Sequence, residues 1–191
     1  MKLIRAFFTV ITYLVNLPLL VLAKIAPFSL KVNGILLILN QGTIKIGKGG
    51  KINSSPLRNI IGGDTRSTII IKNGAVLTIG ENFKMSNSAI YCAEKISIGD
   101  NVMIGGSCRI WDTDFHPLNP AERAENPNTG YITRPISIGD NVFIGGFSIL
   151  LKGSTIGNGS IIGAGSIVSG TIPEGEIWAG NPARFIKKVS K

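Results

Sequence analysis

The chain is poor in the residues from which metal and redox chemistry are usually built: 191 residues hold one histidine and two cysteines. A single imidazole excludes a centre made of three histidines. Cys92 and Cys108 alone form neither a disulfide framework nor a zinc spacing. Aromatic residues are scarce too, at 7%, and no basic stripe is interleaved with them, so the net charge of +9 is not the footprint of a nucleic-acid binder. Charged residues make up only 16% of the chain while glycine contributes 24 positions, a balance that suits a stacked β-architecture better than a helical one.

What is present is repetition. Ile96 to Gly106 reads ISIGDNVMIGG, and forty residues later Ile136 to Gly146 reads ISIGDNVFIGG. Aliphatic residues recur at every sixth position, through Ile98, Ile104 and Ile110 and then Ile138, Ile144, Leu150, Ile156, Ile162 and Val168. That spacing belongs to a coil with three flat sides, each turning one aliphatic residue per hexapeptide into a shared core. Four residues after these aliphatics the side chain is usually small: Val102, Cys108, Val142, Ser148, Ser154, Ser160 and Ser166. Cys108 in such a slot reads as a buried thiol of a reducing compartment. Glycine often follows the aliphatic directly (Gly99, Gly105, Gly139, Gly145, Gly157, Gly163), which predicts corners with positive φ at those positions.

Three hexapeptides make a turn of eighteen residues, yet the two copies lie forty apart, so twenty-two residues must leave the coil and return. Thr113 to Arg134 has that length, three prolines, three asparagines and no hexad pattern. Loops this long in a compact array usually bind or react with something. This one carries His116, with Asp112 and Asp114 close before it in the string WDTDFHP, and a carboxylate there could orient the imidazole. A smaller excursion is expected at residues 54 to 67, between the early Ile44, Ile46 and Ile52 and the resumed Ile69, Ile71, Leu77 and Ile79.

Ala6 to Ala23 contains no charge and is eighteen residues long, the lower limit for crossing a bilayer. Lys2, Arg5, Thr9, Thr12 and Asn16 would form a polar stripe on a helix there, and Pro18 would kink it or end its first part. The preferred reading is a helix that lies in a membrane interface or dips into one leaflet. A cleaved secretory signal ending near Val21-Leu22-Ala23 and a helix packed on sister subunits are the competing ones. Basic residues gather at both ends: Lys2, Arg5, Lys24 and Lys31 in front, and Arg184, Lys187, Lys188 and Lys191 behind. Solvated ends would explain them, as would an anionic membrane surface for the first group and phosphates for the second. The expected organisation is a hydrophobic helical segment at 1–32, a solenoid at 33–172 with the loop at 113–134 extruded, and a tail at 173–191.

These features resemble the hexapeptide-repeat acyltransferases, and within them the sugar O-acetyltransferase branch. The resemblance covers residues 70 to 188 and rests on PISIGDNVFIGGFSILLKGSTIGNGSIIGAGSIVSGTIP, the following WAGNPARFIKK and the His-Pro loop. It implies an all-β fold, a left-handed parallel β-helix with a short C-terminal tail; the expected N-terminal hydrophobic helix lies outside the resemblance. It implies a homotrimer in which acetyl-coenzyme A, the acyl donor, lies along the coil between two subunits with its thioester near the histidine loop. Carried over residue by residue, Gly146, Ala164 and Ser169 would flank the pantetheine arm, and Pro182, Arg184 and Lys187 would meet the adenine and its phosphates. His116 would be the general base, Asp114 its preferred orienting carboxylate, with Asp112 or Glu122 as substitutes, and no metal would be required. Phe143 stands where a tryptophan is common in the wall of the acceptor site. The hydrophobic front segment departs from the soluble sugar acetyltransferases and favours a lipid-linked saccharide or surface-polysaccharide precursor, handled at the cytoplasmic side of the cell membrane. N-acylation of an amino sugar or antibiotic and a non-catalytic solenoid scaffold are the alternatives.

Overall fold

A computed structural model describes residues 2–26, 29–55, 59–63 and 65–190, with the side chains of 2–10 left out. The side chains of Lys2, Arg5 and Thr9, together with Pro56, Leu57, Arg58, Asp64 and Lys191, therefore lie outside the description. After helix α1 (Lys2–Leu22) the chain winds as a three-sided parallel coil. Its first turn is β1 (Leu30–Gly34), β2 (Leu37–Asn40) and β3 (Thr43–Ile46), and its second is β4 (Gly50–Ser54), β5 (Thr68–Ile71) and β6 (Val76–Ile79). The third is β7 (Lys84–Ser86), β8 (Ala89–Cys92) and β9 (Lys95–Ile98), and the fourth β10 (Met103–Gly106), β11 (Arg109–Trp111) and β12 (Ile136–Ile138). Two-residue strands complete the fifth turn, β13 (Phe143–Ile144), β14 (Ile149–Leu150) and β15 (Thr155–Ile156), and the sixth, β16 (Ile161–Ile162), β17 (Ile167–Val168) and β18 (Thr171–Ile172). Every third strand stacks on the same side, giving three parallel sheets, called here faces A, B and C in the order the chain visits them.

The hexad aliphatics form the core. On face C, Ile46, Ile79, Ile98, Ile138, Ile156 and Ile172 make one inward column, so the two sequence copies stack directly. Ile69, Ile90, Ile110, Leu150 and Val168 do the same on face B. Each fully buried side chain of these columns contributes about 1.5–3 kcal/mol, while Ile46 at the first turn is half-buried. The serines of the small slots are fully buried and use their hydroxyls to satisfy carbonyls, as Ser148 Oγ does at Gly163 and Ser160 Oγ at Pro173.

The glycines act differently from the expectation. Gly99, Gly105, Gly139, Gly145, Gly157 and Gly163 do not occupy positive φ. They are needed for close approach: a Cβ on Gly99 would stand 2.2 Å from Asp140 Oδ1, and one on Gly145 would stand 2.5 Å from the Ala164 amide nitrogen. The left-handed corners fall on other residues, among them Asn82, Asn101 and Asn141, residue types that tolerate this region. Their side chains hydrogen-bond in a ladder, Asn82 Nδ2 to Asn101 Oδ1 and Asn101 Nδ2 to Asn141 Oδ1. The repeated Gly-Asp-Asn string thus builds an edge of the prism.

Both ends of the coil are covered. Helix α1 packs on β1, and Asn16 of the expected polar stripe is buried there: its Nδ2 donates to the Gly34 carbonyl at 2.7 Å and its Oδ1 accepts from the Leu36 amide at 3.0 Å. Leu20, Ala23 and Ile25 join the core, while Leu14 and Leu22 remain 62% and 78% exposed. Among the described residues no helix is long and apolar enough to cross a membrane. At the other end the coil runs past Ile172, since β19 (Glu176–Ala179) adds to face A and puts Trp178 over Ile162. Strand β20 (Arg184–Lys188) then folds back antiparallel on β19.

Candidate active site

The long loop leaves the edge between faces B and C in the fourth turn, after Trp111, and returns at Ile136. Its base is closed by an antiparallel bridge between Thr113 and Thr133 and by the Asp114 amide donating to the Ile132 carbonyl. It contains one short helix, α2 (Pro120–Glu125), which the sequence reading passed over. The signal was there: Asn119 caps it by accepting from the Ala121 amide, and Pro120 holds the first helical position. Arg123 ties this helix back to the Pro117 and Leu118 carbonyls.

His116 is exposed, and its Nδ1 lies 2.7 Å from the carbonyl oxygen of Pro127. A carbonyl can only accept, so Nδ1 carries the proton; in the neutral ring the lone pair is then on Nε2, the tautomer a general base requires. The preceding residue, Phe115, sits at φ 64, a conformation side chains rarely adopt, and its ring packs 4.8 Å from that of Tyr91. Strain of this kind concentrates at functional sites. Lys72, Tyr91, Thr113, Asn128 and Tyr131 line the cleft beside the imidazole. Burial, followed by the charges of Tyr131 and Asp112, raises the Tyr91 phenol above its ordinary value.

Neither aspartate orients the imidazole. Asp114 pairs instead with Lys152 of the next turn at 3.2 Å, latching the loop to the coil, and its second oxygen is buried without a hydrogen-bond partner. Asp112 is fully buried and accepts from three successive amides, Ala93, Glu94 and Lys95, at 2.6 to 2.9 Å. It is a corner cap. Glu122 lies on α2, and the hydrogen-bond partner of the imidazole is the Pro127 carbonyl. The partner is a backbone carbonyl, which no residue type announces.

Burial, reinforced by the Asp112 carboxylate, pushes the Cys92 thiol up to about 12. Burial also raises Cys108, so both sulfurs stay protonated and neither is a nucleophile.

The residues assigned to the acyl donor divide between two edges. Gly146 and Ala164 stand on the A–B edge one turn apart, where Gly165 donates to the Gly146 carbonyl and the Gly146 amide has no partner among the described residues. Ser169 lies at the B–C edge two turns beyond the loop and shares a hollow with Arg184. Pro182 and Lys187 are exposed on the terminal hairpin, Lys187 opposite Ile177. None of them lines the cleft beside His116.

Residues 135–170 match the model of the bacterial transferase hexapeptide (six repeats), and residues 95–110 that of the hexapeptide repeat of succinyl-transferase. Both matched models are of hexapeptide-repeat transferases. The coil is accordingly the left-handed parallel β-helix of that family. A probable acetyltransferase of Mycobacterium tuberculosis is 31% identical over 158 residues, covering 78% of this chain and 51% of its own. The solved maltose O-acetyltransferase of Clostridium difficile is 39% identical over 60% of each chain, with a TM-score of 0.55. A galactoside acetyltransferase solved in complex with coenzyme A is 27% identical over 84% of this chain and 66% of its own, with a TM-score of 0.56. This hexapeptide-repeat protein therefore spans about half the length of the curated relative it matches.

Proposed function

We propose that this hexapeptide-repeat protein is an acetyl-coenzyme A dependent O-acetyltransferase acting on a sugar hydroxyl of a lipid-linked or surface-polysaccharide precursor. The observation that carries the reading is His116 held by the Pro127 carbonyl with Nε2 free at the lip of an aromatic cleft. Nε2 accepts the hydroxyl proton as the oxygen attacks the thioester carbonyl. The tetrahedral intermediate collapses with loss of coenzyme A thiolate, which takes the proton back from the imidazolium. The unpartnered Gly146 amide is the candidate oxyanion donor. Small side chains at Gly146, Ala164 and Ser169 would let an extended pantetheine arm reach the backbone, and Arg184 and Lys187 would meet phosphates.

The reading includes a homotrimer. His116 stands on the B–C edge, whereas Phe143, the candidate wall of the acceptor site, points outward from face A, the side opposite that edge. In the proposed trimer one subunit's imidazole would serve another subunit's groove. Incubating the protein with acetyl-coenzyme A and a panel of sugar nucleotides and lipid-linked oligosaccharides is expected to release free thiol with at least one of them. Silence across the panel with intact trimer would count against the activity.

The protein is further proposed to sit on the cytoplasmic face of the cell membrane. Exposed Ile11, Leu14, Val15, Val21 and Leu22 give α1 an apolar outer surface next to the cation Lys24. Flotation with anionic vesicles is expected to carry the wild type upward and to leave Leu14→Asp/Leu22→Asp at the bottom of the gradient. Equal sedimentation of the two would end this assignment.

A further inference from the structure

Strand register stacks the outward side chains of face A into a column. Lys31 lies opposite Lys51, Lys51 opposite Lys84, Lys84 opposite Met103, and the column continues through Phe143 and Ile161. Neighbouring strands run about 4.8 Å apart, so three exposed ammonium stems are set one above another. Like charges directly opposite destabilise a sheet. Among the described residues none of the three lysines has an acidic partner, the ion pair being Lys152 with Asp114. At the prism edge Asp100 accepts from the Glu81 amide and Asp140 from the Asp100 amide. Faces B and C carry no such column. Face B presents Leu37, Thr68, Ala89, Arg109 and Ile149 in the equivalent line. Face C presents Lys45, Thr78, Ser97, Ser137 and Thr155.

Beside the lysines a second line, Asn33, Asn53 and Ser86, is tied together by side-chain hydrogen bonds that hold its polar groups in place. Asn59, from the smaller excursion after β4, forms the flank of a groove with Lys51, Asn53, Lys84, Met103 and Phe143. The groove is cationic toward the α1 end and apolar at Met103 and Phe143, and Phe143 lies three residues before Gly146.

We propose that this groove binds a phosphate or diphosphate carried by the acceptor. Lys51 and Lys84, extended by Lys31, take the phosphoryl oxygens, and Met103 and Phe143 support the sugar next to the thioester. The proposal rests on the acetyl-transfer reading for its acceptor, and its anion test is independent of turnover. The shared chemistry has two sources, a nucleoside diphosphate sugar and a polyprenyl diphosphate sugar.

The test begins by titrating inorganic pyrophosphate into the full-length protein saturated with coenzyme A, which removes the Arg184 end as a competing anion site. Binding is expected for the wild type and at least tenfold weaker for Lys51→Gln/Lys84→Gln. Lys45→Gln/Lys95→Gln, the same charge change on face C, should match the wild type. Equal affinity in all three proteins overturns the proposal. Turnover of UDP-N-acetylglucosamine, of polyprenyl-diphosphate N-acetylglucosamine in zwitterionic vesicles and of free N-acetylglucosamine is then compared. A preference for either diphosphate that disappears in Lys51→Gln/Lys84→Gln supports the proposal and identifies the source. Free sugar used as well as both diphosphates, in wild type and variant alike, overturns it. Failure to bind coenzyme A would sink the acetyl-transfer reading while the pyrophosphate comparison still decides the role of the lysines.

Discussion

His116→Ala is expected to lower kcat by about 10²- to 10⁴-fold, the range for losing a positioned general base. The ring contributes only through Nε2, because Nδ1 is committed to the Pro127 carbonyl. The substitution removes an exposed side chain from a loop held by its own bridge and by Arg123, so the fold should survive it. Asp114→Asn separates the two orienting schemes. Its carboxylate pairs with Lys152 and not with the imidazole, so kcat should fall less than tenfold. Steady-state release of coenzyme A, with a thermal melt of each variant as control, measures both. Comparable losses in the two variants would return the orienting role to the aspartate, and a near-normal His116→Ala would remove the imidazole from the chemistry.

Asp112→Ala should produce the largest loss of stability, about 3 kcal/mol or more. Three amides lose a charged acceptor at once, and a buried group left unpaired costs about 1–3 kcal/mol. Asp112 is buried beneath the loop and closes the corner of the third turn at Ala93, Glu94 and Lys95. For a chain of this size each kcal/mol moves the Tm by about 2–4 °C, so a drop of roughly 6–12 °C is the expected readout of a thermal melt. Asp114→Ala, which breaks a partly exposed pair, should cost about 1 kcal/mol or less. Equal melting of Asp112→Ala and the wild type would mean that water replaces the carboxylate without loss.

The coil was legible because its period is a property of neighbouring hexads: Ile98 and Ile138 could be paired by subtraction once Thr113 to Arg134 was set aside, and face C pairs them. The assignment of glycine roles failed for a reason of the same kind. Sequence shows that Gly99 and Gly139 follow an aliphatic, but only stacking reveals that each faces the backbone one turn away, leaving left-handed φ to Asn101 and Asn141. Chain proximity also misled at His116. Asp114 is two residues away, yet the turn at Phe115 sends the two side chains to different partners. The lysine column was hidden because Lys51 and Lys84 are separated by the excursion at residues 55–67, which breaks the eighteen-residue step that would have aligned them. Helix α1 was visible as an apolar segment with a polar stripe, but Asn16 gave no sign that it would dock into the end of the coil.

The fold-back of β20 has a consequence beyond the site. Parallel coils end in unpaired strands that can template a second molecule. Here the last pass of face A is covered by a strand of opposite direction, with Arg184, Lys187 and Lys188 exposed along it. A molecule approaching face A end-on meets mismatched polarity and repulsive charge, so on this face the stacking that joins six turns within one chain is discouraged from continuing into a filament of many.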